Sequence, residues 1–104
     1  MKVEVLYFKG CPNLHQVVDN VLTAVREQGI MISLGQIEVH TPEEAKEMAF
    51  LGSPSVRVNG LDVEPGAREA DGFGLGCRTY VTLEGRSGTP SVATIRRALA
   101  EATD

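Results

Sequence analysis

A cysteine at the start of a predicted helix is the residue in this 104-residue chain best suited to chemistry. Cys11 follows a predicted strand, residues 2–8, and precedes Pro12. An apolar stripe at helical spacing begins at Leu14, which predicts Cys11 as the N-cap of the first helix and Pro12 as its first residue. A thiolate there can accept backbone N–H bonds and is favoured by the helix dipole. Cys11 is therefore predicted to be a reactive nucleophile.

Three further side chains have open interpretations. Cys77 is a second functional thiol, a strand residue buried as a small hydrophobe, or a free thiol at the far end of the sheet. His15 is four residues after Cys11, so it either shares a helix face with the thiol and activates it or is a solvated first-turn residue. Arg78 favours a thiolate at Cys77, binds an anionic thiol ligand or is a solvated strand charge.

Hydrophobic periodicity predicts the elements that position these residues. The first helix has an apolar stripe through which Val17, Val21 and Val25 are expected to be buried. A capping box, Thr41 to Glu44, predicts a short helix to about residue 51. The remaining predicted elements are strands at residues 31–39, 55–59 and 77–83, a hairpin turn at Asn59-Gly60, a loop insertion at 61–76, and a final helix capped by Thr89-Pro90.

The element order is thus β-α-β-α-β-β-α, and residues 1–104 are expected to form one α/β domain. A right-handed crossover makes the first two strands parallel, and the Asn59-Gly60 turn makes the last two antiparallel. We therefore expect a four-stranded mixed sheet flanked by helices.

Composition argues against several classes of protein. The net charge is −4, and the Lys and Arg residues are dispersed, which argues against nucleic acid or an anionic membrane as a partner. The chain begins with an alternating strand pattern and lacks a membrane-length apolar run, so a cytoplasmic location is expected. The Cys and His spacing matches no zinc motif, and residues 66–76 contain no phosphate-loop pattern, so no cofactor is expected.

The element order, with Cys11-Pro12 on the first β-α turn and Ser53-Pro54 before the third strand, resembles the thioredoxin and glutaredoxin family. The resemblance implies a thioredoxin-like fold in which Cys11 is the nucleophile and Pro54 is a cis proline beside its sulfur. The family's C-x-x-C motif would place a second cysteine at position 14, where this chain has Leu14. What remains is single-cysteine chemistry or a partner thiol from elsewhere, for which Cys77 is the candidate within the chain.

Residues 75–80, together with 11–13 and 52–56, also resemble small bacterial proteins grouped with the alkylmercury lyases. That resemblance implies two cysteines, Cys11 and Cys77, that hold mercury. An Asp three residues after the first cysteine would help to cleave the carbon–mercury bond, but Leu14 stands at that position. Two thiolates would suit soft metals such as Hg(II), Cu(I) or Zn(II).

Three functions are therefore compatible with the sequence. The first is a thioredoxin-like thiol protein in which Cys11 reacts with a disulfide, thiol adduct or soft electrophile, small molecule or protein, and Cys77 or an external thiol resolves the product. The second is a protein that binds a soft metal or an organomercurial through Cys11 and Cys77, with or without lyase activity. The third is a non-catalytic thioredoxin-fold binding module. Whether the protein is an enzyme stays open between these.

Overall fold

A mixed four-stranded sheet is the centre of the fold in the computed structural model, which describes residues 1–103. Its strands are β1 (Lys2–Tyr7), β2 (Ser33–Glu38), β3 (Ser55–Val58) and β4 (Leu61–Asp62), in the order β2-β1-β3-β4. β1 is parallel to β2 and antiparallel to β3, and β3 is antiparallel to β4. The mixed α/β architecture, the four-stranded mixed sheet and the parallel pairing of the first two strands are confirmed. The predicted antiparallel pairing of strands 55–59 and 77–83 is wrong, because β3 pairs with β4 inside the predicted loop insertion.

Three α-helices cover the two faces of this sheet, α1 (Leu14–Gln28), α2 (Pro42–Glu47) and α3 (Val92–Thr103). Successive side chains of β1 alternate between the faces. Val5 therefore packs with α1 and α3, whereas Leu6 packs with α2. Val17 and Val21 are fully buried as predicted, but Val25 is only partly buried at the margin of the core. None of the helices within residues 1–103 is long and apolar enough to cross a membrane.

The capping box at α2 is confirmed in part. Thr41 Oγ1 accepts a hydrogen bond of 3.1 Å from the Glu44 N–H, as a capping residue does. The Glu44 carboxylate accepts from the His40 N–H at 3.1 Å. The predicted extension to residue 51 is wrong, because Ala49 adopts a positive φ of 54° that no α-helix accommodates.

The prediction for residues 61–83 is confirmed only in part. Asn59 and Gly60 have φ angles of 50° and 86°, which form a tight turn, so the chain reverses at once into β4. The segment predicted as a loop insertion thus begins with the fourth strand and contains a 3₁₀ helix at Pro65–Ala67. The predicted strand at 77–83 is shorter, β5 (Tyr80–Thr82), and pairs with β6 (Gly85–Ser87) in a separate hairpin.

The start of α3 differs from the prediction by two residues. Ser91 Oγ accepts a hydrogen bond of 3.1 Å from the Thr94 N–H, so Ser91 rather than Thr89-Pro90 caps this helix. Asn20 Nδ2 on α1 instead donates to the Pro90 carbonyl at 3.0 Å. The residues before α3 therefore tie the two helices of one face together.

Candidate functional site

Cys11 lies on a tight turn at the carboxyl end of β1. The Cys11 N–H donates a hydrogen bond of 3.2 Å to the Phe8 carbonyl and closes a four-residue turn. Gly10, the third residue of that turn, has a φ of +83°, a conformation that favours glycine. The Cys11 side chain is half-buried, and the cysteine is free. This turn places the thiol at the edge of the sheet, where the central strand ends.

The prediction that Cys11 is the N-cap of α1 is wrong. α1 begins at Leu14, and Asn13 occupies the capping position with φ −102° and ψ 5°. Because this conformation lies in the bridge region rather than in the helical one, Cys11 and Pro12 form a turn that precedes the regular helix. Only a long hydrogen bond of 3.5 Å, from the Leu14 N–H to the Cys11 carbonyl, connects Cys11 to the first turn.

The loop before β3 contains the predicted cis proline. The Ser53–Pro54 peptide bond is cis, and both residues are buried. The Ser53 hydroxyl accepts a hydrogen bond of 3.3 Å from the Phe8 N–H. Since Phe8 also begins the turn that ends at Cys11, Ser53 joins the loop of Pro54 to the turn of the candidate nucleophile.

The backbone of Cys77 lies beside that same serine. Ser53 and Cys77 form a parallel β-bridge, in which the Ser53 N–H donates to the Gly76 carbonyl at 2.9 Å and the Arg78 N–H donates to the Ser53 carbonyl at 3.1 Å. The Cys77 side chain is exposed. Ser53 is therefore hydrogen-bonded both to the turn of Cys11 and to the segment of Cys77. The interpretation that Cys77 lies at the far end of the sheet is wrong.

Arg78 forms a nearly buried ion pair with Asp62. The interpretation of Arg78 as a solvated strand charge is therefore wrong. The Arg78 guanidinium makes two hydrogen bonds to the Asp62 carboxylate, of 2.6 and 2.9 Å, and a third of 3.2 Å to the Ser55 hydroxyl. The side chains of Arg78 and Asp62 are only 10% and 9% exposed. Burial alone would lower the pKa of Arg78, but the bonds to Asp62 together with surrounding negative charge raise it above its ordinary value.

Tyr80 connects this ion pair to the proline loop. Its hydroxyl donates a hydrogen bond of 2.5 Å to the Pro54 carbonyl, and the Arg78 guanidinium lies 4.5 Å from the centre of its ring. Burial raises the pKa of Tyr80 far above its ordinary value; the charge of Arg78 opposes this rise, and acidic groups including Cys11 add to it.

Sequence reasoning missed Ser53, Asp62 and Tyr80 as parts of this site. Tyr80 carried a usable signal, because a tyrosine in a predicted strand near a candidate cysteine needs a partner for its hydroxyl when it is buried. Ser53 and Asp62 carried none, since their roles depend on contacts between distant segments. His15 is exposed on the first turn of α1, as its solvated interpretation expected.

A pocket of about 380 Å³ adjoins the two cysteine-bearing segments at the carboxyl ends of β1 and β2. It is lined by Phe8, Lys9, Glu38, Val39, His40 and Leu75. Phe8 and Lys9 belong to the Cys11 turn, and Leu75 is two residues before Cys77. Within residues 1–103, no three His, Cys, Asp or Glu side chains are grouped so that they could hold a metal ion.

No family model, no curated protein and no solved structure matches this chain. The assignment of chemistry to the site therefore depends on its geometry.

Proposed function

We propose that this protein is a thioredoxin-like thiol protein in which Cys11 attacks a disulfide or soft electrophile and Cys77 resolves the product. The observation that carries the proposal is the position of Ser53. Its hydroxyl is bonded to the Phe8 amide of the Cys11 turn, and its backbone is bonded to both neighbours of Cys77. In this proposal Cys77, from a distant part of the chain, serves as the resolving thiol. It takes the role of the second cysteine of the C-x-x-C motif, whose position is occupied here by Leu14.

The arrangement of the sheet supports the thioredoxin-like part of the proposal. The nucleophile follows the central strand β1, and a cis proline precedes β3, which is antiparallel to β1. These are the two features that carry the resemblance to the thioredoxin and glutaredoxin family in the sequence.

The proposed reaction is a pair of thiol–disulfide exchanges. The Cys11 thiolate attacks one sulfur of a disulfide substrate, forms a mixed disulfide and releases the other half of the substrate as a thiolate. The Cys77 thiolate then attacks the Cys11 sulfur, forms the Cys11–Cys77 disulfide and releases the second half. The substrate gains two electrons, and the protein loses two. An external dithiol returns the protein to its reduced form, which suits a reducing cytoplasmic setting.

The pocket beside the site supports a small substrate. Its lining combines apolar side chains, Phe8, Val39 and Leu75, with charged groups at Lys9 and Glu38. A disulfide or thiol adduct with an apolar part suits this lining.

The test is a reaction with the aromatic disulfide 5,5′-dithiobis(2-nitrobenzoate), which releases one coloured thiolate for every exchange. The wild type is expected to release two equivalents and retain no adduct. Cys77→Ser should release one equivalent and retain the aromatic thiol on Cys11. In Cys11→Ser, Cys77 should react more slowly than Cys11 does in Cys77→Ser at pH 7. An adduct retained by the wild type, or faster reaction of Cys77, would overturn the proposal.

The same proximity supports a second function, binding of a soft metal ion by the two thiolates. Both Cys11 and Cys77 are free, and thiolates favour soft metals. Titration with Hg(II) is expected to give a tight 1:1 complex that weakens strongly in Cys11→Ser and in Cys77→Ser alike. Equal binding by a single-cysteine variant would exclude shared coordination.

A further inference from the structure

Cys77 is exposed and follows two glycines in the short segment Gly74-Leu75-Gly76. Glycine restricts the backbone less than any other residue, so the position of the thiol depends on the contacts that this segment and its neighbours make. The Gly74 N–H donates to the Phe50 carbonyl at 3.1 Å, and the Gly76 carbonyl accepts from the Ser53 N–H at 2.9 Å. After Cys77, the Arg78 N–H donates to the Ser53 carbonyl at 3.1 Å. Arg78, the residue that follows Cys77, makes further contacts through a side chain that is only 10% exposed.

Arg78 anchors the segment through its side chain. Asp62, at the end of β4, accepts two of its hydrogen bonds, and Ser55, at the start of β3, accepts a third. The ring of Tyr80 lies against the same guanidinium. Three groups on three elements thus determine where Arg78 sits, and the Cys77 backbone is covalently attached to it.

We infer that Arg78, held by Asp62, is a positioning residue that keeps Cys77 within reach of Cys11 for the resolving step. The inference rests on the proposed function. Arg78 touches neither reacting sulfur in this role, and acts by limiting the movement of the segment that carries one of them. Small displacements of a reacting group cost rate steeply, because an intramolecular attack depends on alignment.

A lysine at position 78 would keep the charge and lose the anchoring. The guanidinium presents its donors in a planar fork that matches both oxygens of a carboxylate, whereas an ammonium is a single point of charge on a flexible stem. Lysine therefore cannot satisfy Asp62 and Ser55 in the same fixed arrangement. Arg78→Lys therefore removes the fixed hydrogen-bonding geometry of the side chain while it keeps the positive charge.

The experiment follows the two equivalents of coloured thiolate released from 5,5′-dithiobis(2-nitrobenzoate) as separate kinetic phases. The first phase reports the attack by Cys11 and depends on reagent concentration. The second reports the attack of Cys77 on the Cys11 mixed disulfide and is independent of that concentration. Arg78→Lys is expected to slow the second phase by about 10- to 100-fold and to leave the first unchanged.

Arg68→Lys is the matched control. Arg68 donates to the backbone carbonyl of the same Asp62 at 2.9 Å and pairs with Glu101, but it does not belong to the Cys77 segment. The second phase of Arg68→Lys should have the same rate as that of the wild type. Asp62→Asn should slow the second phase as Arg78→Lys does, and the double variant should add little, because both changes break one interaction.

The outcomes separate this inference from the proposed function. A wild type without a second phase would overturn both. A normal second phase in Arg78→Lys would overturn the positioning role alone, as would equal slowing of both phases, which indicates a general loss of structure. If Arg78→Lys does not fold, Ser55→Ala removes one acceptor of the guanidinium and retains Asp62. An unchanged second phase in Ser55→Ala would then count against the inference.

Discussion

The hydroxyl of Tyr80 donates a hydrogen bond of 2.5 Å to the carbonyl oxygen of Pro54. Tyr80 is 2% exposed and begins the β5–β6 hairpin, while Pro54 belongs to the loop beside the Cys11 turn. A residue outside the main sheet thus holds the loop around which both cysteine-bearing segments meet. We therefore expect this contact to contribute to the stability of the site.

Tyr80→Phe removes the hydroxyl and leaves the Pro54 carbonyl without that donor in a buried place. Loss of one partner of a buried hydrogen bond costs about 1–3 kcal/mol. The free energy of unfolding, measured by urea denaturation, should therefore fall by this amount, with little change of the ring packing. Tyr7→Phe, at a partly exposed tyrosine, is the control, and equal stabilities of Tyr80→Phe and wild type would contradict the account.

The raised pKa of Tyr80 predicts a loss of stability in alkali. The unfolded chain releases the tyrosine proton near pH 10, whereas the folded protein retains it to higher pH, so the contribution of Tyr80 is complete below about pH 10 and declines above it. The wild type should lose up to about 1.4 kcal/mol more per pH unit than Tyr80→Phe there. Urea titrations between pH 8 and 11 measure the difference. Parallel curves for the two proteins would show that Tyr80 ionises equally in both states.

Gly52→Ala tests the close approach of the Cys77 segment to the proline loop. Gly52 has a φ of +126°, and an added Cβ would lie 3.0 Å from the Arg78 Cβ and 3.1 Å from the Gly76 carbonyl oxygen. Backbone strain of this kind costs about 1–3 kcal/mol, and the contacts should also displace the segment. Gly66→Ala, where a Cβ meets nothing within 4 Å, is the control. Equal urea midpoints for the two variants would contradict the packing described here.

Val21→Ala tests the core under α1. Val21 is 0% exposed, and its truncation should cost about 1–3 kcal/mol through lost burial and a residual cavity. The neighbouring Leu22 is 44% exposed, so Leu22→Ala should change the free energy of unfolding by about 0.5 kcal/mol or less. A reversed order of the two effects in urea denaturation would mean that another face of the helix is buried.

The first half of the fold was predictable because its signals are local. The apolar stripe of α1, the Thr41 cap and the Asn59-Gly60 turn each depend on a few adjacent residues, and the structure contains all three. The second half of the fold was not predictable from local signals. β4 has only two residues, too few for a periodic pattern, and in β5 Val81 is 77% exposed, so its apolar character does not mark a core strand.

Individual residues of the candidate site were predictable from the sequence, but their arrangement in space was not. A cysteine before a helical stripe singles out Cys11, and the resemblance singles out Pro54. The place of Cys77 depends on a bridge to Ser53 and on the pairing of Arg78 with Asp62, contacts between segments that no local pattern encodes. A charged residue in a predicted strand is usually solvated, which is why the buried role of Arg78 was not foreseen.

The most direct test of the central claim is the identity of the disulfide that forms within one chain. The reduced wild type is oxidised at low protein concentration with diamide, a two-electron oxidant of thiols, then digested without reduction and mapped by mass spectrometry. The account predicts a peptide pair joined by a Cys11–Cys77 disulfide in monomeric protein. Persistence of both free thiols, or disulfides found only between chains, would contradict the claim that the two cysteines form one site.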